Sequence, residues 1–158
     1  MSGEEDDYFP ASDFLVSVMN EEVLFDSSDF GQSNLRLLIG MTKDSDRSNR
    51  DWATMLLGQY GPDTEKVRTA LIESANDEDE FVRGEAIQAL VERDRTAALP
   101  LVARELAGNS ACFAIFLAAQ ELAELSLVAL LEPYALDKSG PPHINAQIED
   151  ALSACRQG

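Results

Sequence analysis

The feature that most constrains this chain is a repeat. Asp44, Asp46, Arg50, Ala53 and Leu57 recur as Asp77, Asp79, Arg83, Ala86 and Leu90, at an offset of 33 residues each time. Within each copy the apolar residues return at three- and four-residue spacing behind a short acidic turn, which is the period of a helix. Each copy then has a polar break and a second apolar stretch. Val67, Ala70, Leu71 and Ile72 follow Tyr60-Gly61-Pro62; Leu99, Leu101, Val102 and Leu106 follow Glu92-Arg93-Asp94. Two helices joined by so short a break form an antiparallel hairpin. A single hairpin cannot bury both of its faces, so its copies must stack into a solenoid. Gly61 suits a helix C-cap and Pro62 the start of the next helix.

A third copy is visible but worn. The segment from Asn109 to Leu122 matches the second at an offset of 32, setting Phe81 on Phe113, Ala86 on Ala118 and Leu90 on Leu122. Its acids are gone, and Ile115 stands where Arg83 stood. A partner helix starts at Ser126, with Pro133 placed to kink or shorten it. After Gly140-Pro141-Pro142, a last helix over residues 143–156 carries Ile144, Ile148, Ala151 and Leu152 on one stripe. It should cap the stack, because a solenoid end cannot be left apolar. At the other end, residues 1–11 read as a flexible acidic tail. Ser12 can cap a short helix through Phe14, Leu15, Val18 and Met19, residues 26–33 read as a loop, and a short helix follows Asn34. Val23-Leu24-Phe25 could equally be a strand. The domain reading is therefore a tail over 1–11 and one repeat domain over 12–158, with clear repeats at 42–108 and a degenerate one at 109–136.

The two clear copies resemble the bacterial HEAT-like repeats, also called the phycobilisome-lyase HEAT-like type. That pattern is Asp-x-Asp-x-x-Val-Arg, then Ala, then Ala-Leu on the first helix. Asp77, Asp79, Val82, Arg83, Ala86, Ala89 and Leu90 fit it directly; Asp44, Asp46, Arg50, Ala53 and Leu57 fit with Asn49 in place of the valine. The resemblance implies an all-α fold: a short right-handed α-α superhelix, or HEAT-like solenoid, of about three to four antiparallel helix hairpins. The residue chemistry agrees. Aspartate in a turn can cap the next helix, and an arginine at a repeated position can bond an acid or carbonyl of its neighbour and fix the stacking register. Alanine lets helices approach closely.

No reactive constellation accompanies the repeat. The single histidine, His143, follows Gly-Pro-Pro and has no orienting partner nearby in sequence. Asp44, Asp46 and Ser48 fall at positions one, three and five of a calcium loop. Position six is Asn49 rather than glycine, however, and position twelve is Met55 rather than glutamate. The expectation is no catalytic, cofactor or metal site. Cys112 and Cys155 match no metal or redox spacing, and Cys112 opens an apolar run that predicts a buried thiol. The apolar run over 111–119 is about half of what a membrane span needs. Met1 is followed by acids rather than a signal sequence, so the expected location is cytoplasmic.

Charge decides what kind of partner fits. With 29 acidic and 12 basic residues the net charge is −17, and nine of the acids lie in the first 30 residues, where there is no base. Such a chain is repelled by phosphate backbones and anionic lipid. Nucleic acid and membrane are excluded as partners, and a protein partner, with a basic one the better fit, is expected. The first reading is a non-enzymatic interaction module, binding through the exposed face of the second helices near Glu65, Arg68, Glu73, Arg95, Arg104 and Glu105. A second reading is an acidic inhibitor or immunity-type protein that neutralises a basic toxin or nuclease. A third, implied by the resemblance alone, is a bilin lyase-like activity.

Overall fold

Each clear repeat opens with two aspartates that divide the work of starting a helix. Asp46 and Asp79 are the N-caps of helices α3 (Arg47–Tyr60) and α5 (Glu80–Arg93), each accepting hydrogen bonds from two otherwise unpaired backbone amides. Asp44 and Asp77 sit two residues earlier and accept from the amides of those capping aspartates. Thr64 and Asp94 cap the second helices α4 (Glu65–Ser74) and α6 (Arg95–Leu106), each accepting from one amide, that of Val67 and that of Ala97. The computed structural model describes residues 8–158 and forms no strand among them.

Among the described residues there are five further α-helices: α1 (Asp13–Met19), α2 (Asp29–Met41), α7 (Phe113–Leu122), α8 (Val128–Leu136) and α9 (Pro142–Gln157). A 3-10 turn, Leu125–Leu127, leads into α8. One packing rule runs through the stack: both helices of a pair lie against the first helix of the next pair. Thus α1 and α2 pack on α3, α3 and α4 on α5, α5 and α6 on α7, and α7 and α8 on α9. So α1–α2 packs as a further, degenerate pair ahead of the clear repeats, and α9 takes the position of a first helix against α7 and α8. One apolar core runs the whole length, from Leu15 and Leu38 through Leu57, Leu71 and Leu90 to Leu131 and Leu152.

Small residues set the spacing of the first helices. Ala53, Ala86 and Ala118 are fully buried at equivalent repeat positions. Gly58 lies so near α5 that a β-carbon on it would stand 2.7 Å from the Ala89 Cβ. Gly58→Val should therefore force α3 and α5 apart and cost about 1–3 kcal/mol by overpacking; a denaturant midpoint unchanged from the parent would refute that contact.

Arginines lock the register. The Arg50 Nε donates to Asp77 of the next repeat at 2.9 Å, and its Nη1 donates to the Asp44 carbonyl at 3.2 Å. Arg83 repeats the grip on its own turn, donating to the Asp77 and Glu78 carbonyls. The worn third copy offers it no aspartate ahead, since Asn109 stands at that position. Arg83 turns instead to Glu105 on α6, at 3.0 Å. Ile115, at the lost arginine position, is buried.

Several boundaries differ from the sequence expectation. Helix α2 starts at Asp29, not after Asn34, because the Ser28 hydroxyl accepts from the Gly31 amide. Val23–Phe25 form no strand; the Leu24 carbonyl accepts from the Asn34 side chain. Pro62 is not a helix start, since α4 begins at Glu65 behind its Thr64 cap, while Gly61 does cap α3. Pro133 lies inside α8, and Ser12 precedes α1 without a side-chain capping bond. Cys112 is only half-buried, as the N-cap residue of α7, whereas Cys155 is buried with its Sγ 3.4 Å from the Ala119 carbonyl. Of the expected flexible tail, residues 1–7 lie outside the described part. Residues 8–11 are held: Pro10 is buried, and the Tyr8 hydroxyl donates to Asp51 on α3 at 3.0 Å.

Candidate protein-binding faces

The residues expected on the second-helix face do not form one patch. Arg95 reaches along the stack to the Glu121 and Leu122 carbonyls at the end of α7. Arg104 donates to the Ala75 carbonyl at the end of α4, to Asn76 at 2.9 Å and to Glu105. Glu105, largely shielded, is held between Arg104 and Arg83. Guanidinium groups at helix C-termini satisfy orphan carbonyls and complement the helix dipole, so these three side chains brace the fold. Arg68 pairs with Asp63 within one repeat, at 2.7 Å. Glu65 and Glu73 share a groove of about 540 Å³ between α2 and α4 that includes Ile39 and Ala70, and Arg104 and Glu105 share another, of about 460 Å³, with Asn76 and Arg83. Glu73 is also paired with Lys43 at 2.6 Å.

The basic residues are thus largely committed to the fold. Lys43, Arg47, Arg50, Arg68, Arg83, Lys138 and Arg156 pair with carboxylates. Arg93 spends its guanidinium on the Gly58, Gly61 and Ala89 carbonyls. Exposed pairs among these contribute little stability each, but together they engage most of the cations. Arg36 and Lys66, beside the α2–α4 groove, have no carboxylate partner among the described residues, and the larger remainder without an ion pair is acid.

Three of these acids, Glu85, Glu92 and Glu121, meet on one side of the first helices, a face the sequence reading did not single out. Along α5 the ridge is Phe81, Glu85, Gln88 and Glu92, at the three- and four-residue spacing that puts side chains on one side of a helix. The matching ridges are Trp52, Met55 and Gln59 on α3, and Phe113, Leu117 and Gln120 on α7. Met55, Gln59, Glu85, Gln88, Glu92 and Glu121 line a shared groove of about 200 Å³ over α5, together with Arg93, whose guanidinium is held by three carbonyls. Among the described residues, none of Glu85, Glu92 and Glu121 forms an ion pair.

The environment penalises these charges. Burial raises the Glu85 carboxyl above its ordinary range, and the Asp51 charge adds to the effect. Burial does the same to Asp51, against the lowering effect of the Tyr8 hydrogen bond, and to Glu121, with Glu92 repelling it. A carboxyl whose pKa is raised on folding favours the fold below its unfolded pKa. That contribution is lost as pH rises through the folded value. Glu85→Gln should therefore raise the melting temperature at pH 7, with the gain disappearing as pH falls into the ordinary carboxylate range. Thermal melts of both proteins from pH 4 to 7 check this, and a variant less stable at neutral pH would contradict it.

The N-terminal edge of the same face is aromatic. Tyr8 stacks on Trp52, with ring centroids 6.0 Å apart. The Arg47 guanidinium lies between the Tyr8 and Phe81 rings, at 5.9 and 5.4 Å from their centroids, while its Nε bonds Asp79 at 2.7 Å. Burial and the Asp51 carboxylate push the Tyr8 hydroxyl up to about 12. Phe81 and Phe113, at equivalent repeat positions, stay 50% and 41% exposed. His143 is not in a loop but in the first turn of α9, its ring centroid 6.2 Å from that of Phe113.

Helix pairs stacked at a fixed period, capped by aspartate and registered by arginine, define the α-solenoid class built from HEAT repeats. The chain belongs to the HEAT-repeat family, whose model matches residues 35–123. It is similar to Protein YibA of Escherichia coli, in both strain K12 and strain O157:H7, with 30% identity over 122 residues in each case. Those matches take in 77% of this chain and 40% of the relatives, so the chain spans well under half the length of the curated proteins it resembles. The X-ray structure of Escherichia coli YibA aligns with a TM-score of 0.62 at 24% identity, over 92% of this chain and 55% of that one. At that identity the likeness concerns the fold. No helix of the described residues is long and apolar enough to cross a membrane.

Proposed function

We propose that this chain is a non-enzymatic protein-binding module. The observation that carries the reading is the division of charge: most arginines brace the stack through carboxylates and carbonyls of the chain, while Glu85, Glu92 and Glu121 share one groove with no ion-pair partner among the described residues. Unpaired, partly desolvated charge costs stability, and a protein that retains it gains where a complementary surface arrives. A HEAT-type stack suits this role because its rigid, repeated helices present an extended surface. Site-specific photo-crosslinking in the native host tests it. A photoreactive residue at Gln88 on the first-helix face or at Thr69 in the α2–α4 groove should give a discrete protein adduct from at least one position. No adduct from either would count against the module.

The same unpaired acids support a narrower second reading, an acidic inhibitor of the immunity type that covers a basic toxin or nuclease. It predicts that the captured protein is strongly basic and that its activity falls to background when this chain is added in equimolar amount. Full activity in the complex would remove that reading and leave the module intact.

A further inference from the structure

We propose that the outer face of α3, α5 and α7 is a docking groove for a cationic amphipathic segment of a partner protein. In this arrangement Lys or Arg heads reach Glu85, Glu92 and Glu121, and aliphatic stems lie over Met55, Phe81 and Phe113. The inference rests on the protein-binding reading and goes further, because it names the face and the chemistry of the occupant.

Three observations support it. The groove is lined from the first helices of three repeats, α3, α5 and α7, so its occupant crosses the repeats instead of following one helix. Interaxial spacings of about 8–10 Å put some 20 Å between α3 and α7, which four turns of a partner helix would cover. The chemistry is two-sided. Exposed aromatic rings at the N-terminal edge suit apolar stems, and unpaired carboxylates further along suit cationic heads. Long basic side chains supply both parts at once, stem on apolar surface and head in the polar rim. Neutral or acidic occupants would leave Glu85 and Glu121 covered and unpaired, a costly arrangement.

The third observation is that the chain already shows the face being used. Its own residues 8–10 dock at the α3 end, where the Tyr8 ring stacks on Trp52, its hydroxyl donates to Asp51, and Pro10 is buried. The surface over α5 and α7 continues from that contact; Arg47 lies on the Phe81 ring and His143 beside Phe113, while Glu85, Glu92 and Glu121 have no ion-pair partner among the described residues. Where the chain's own segment sits, the acid is satisfied by a donor; beyond it, the acids wait for one.

Trp52 is the only tryptophan and lies at the edge of this face, so its emission reports occupancy without a label. The probe is a synthetic amphipathic helical peptide of about 16 residues, four turns long, with Lys at i and i+7 beside a leucine stripe. Two controls accompany it: the same composition scrambled to destroy the apolar face, and the same stripe with Glu for Lys. The full chain should show saturable, salt-weakened emission changes with the first peptide only. Triple replacement Glu85→Gln, Glu92→Gln, Glu121→Gln should weaken binding at least about tenfold, each lost charge pair being worth a fraction of a decade to a decade. Glu65→Gln with Glu73→Gln should leave it unchanged, and helical circular dichroism confirms that both variants fold.

The proposal is overturned if the scrambled peptide binds as well, if the triple variant binds undiminished, or if the Glu65/Glu73 variant loses binding instead. Absence of saturable binding by any peptide also overturns it. A native partner that cross-links from Thr69 and not from Gln88 would keep the binding module while removing this face from it.

Discussion

Phe116→Ala will destabilise the C-terminal half of the stack by about 3–5 kcal/mol, the range for truncating a buried aromatic core residue. Phe116 is 2% exposed and meets Tyr134 of α8 edge-on, with centroids 5.3 Å apart. The Tyr134 hydroxyl in turn donates to the Leu106 and Gly108 carbonyls, each at 3.1 Å, so one aromatic pair ties α8 and α7 to the end of α6. Removing the ring empties the centre of that junction. Stability in a repeat stack is a sum of repeat terms and neighbour interfaces, so the loss should be local first. The expected result is a melt displaced downward by roughly 10 °C and broadened, with α7–α9 amides exchanging faster than those of α3. Uniform loss of protection along the whole chain would mean that the stack unfolds as one unit.

Arg50→Met will cost about 3 kcal/mol, as expected when one partner of a shielded pair is removed. Arg50 and Asp77 are only 12% and 11% exposed, so the aspartate left behind cannot be fully hydrated. Asp77 keeps one donor, the Asp79 amide at 2.9 Å. The carbonyls of Asp44 and Ser45 also lose their guanidinium. A double-mutant cycle with Asp77→Asn isolates the pair from those carbonyl contacts. The double variant should recover part of the loss, because the stranded charge is gone. If Asp77→Asn restores nothing, Arg50 acts through the carbonyls alone. By contrast Arg47→Met, at a pair 44% exposed on its basic side, should change stability by less than about 1 kcal/mol.

Low pH should expose the capping aspartates. The Arg47 hydrogen bond and then the Val82 and Phe81 amides hold the Asp79 carboxyl below its usual range. Bonds from Ser48, side chain first, do the same for Asp46. A carboxyl lowered on folding stabilises above its unfolded pKa and stops doing so as pH falls through its folded value. The clear repeats should therefore weaken below the ordinary carboxylate range. The third repeat, whose α7 has Cys112 at its cap without a capping bond, should respond less. Hydrogen exchange resolved by helix, at neutral and acid pH, distinguishes the two.

The two sharp repeats were legible because their signals are local. Asp-x-Asp at a turn names a cap, and Ala-Leu at helical spacing names a buried stripe; neither needs knowledge of the rest of the chain. The start of α2 was less legible, since Ser28 caps a helix whose first residues, Asp29 to Ser33, read as loop by composition. The α1–α2 pair likewise shows its place as a repeat only through its packing on α3.

The candidate site was the least legible part. Arg95, Arg104 and Glu105 look like surface residues in one dimension, yet each is drawn into a contact with a neighbouring helix end or a buried partner. Glu85 and Glu121 look like ordinary solvated acids. Only stacking brings Glu121 of α7 to the same groove as Gln59 of α3. By itself the sequence determined the helix hairpin, its period, its caps and the excess of acid, because those follow from residue types a few positions apart. The tertiary structure decided which charges are consumed. Arginines twenty-two to thirty-five residues from their partners close onto carbonyls and carboxylates of other helices, and Glu85, Glu92 and Glu121 are left without an ion pair on the first-helix face. Pairing across a stack depends on distances in space that no local spacing encodes.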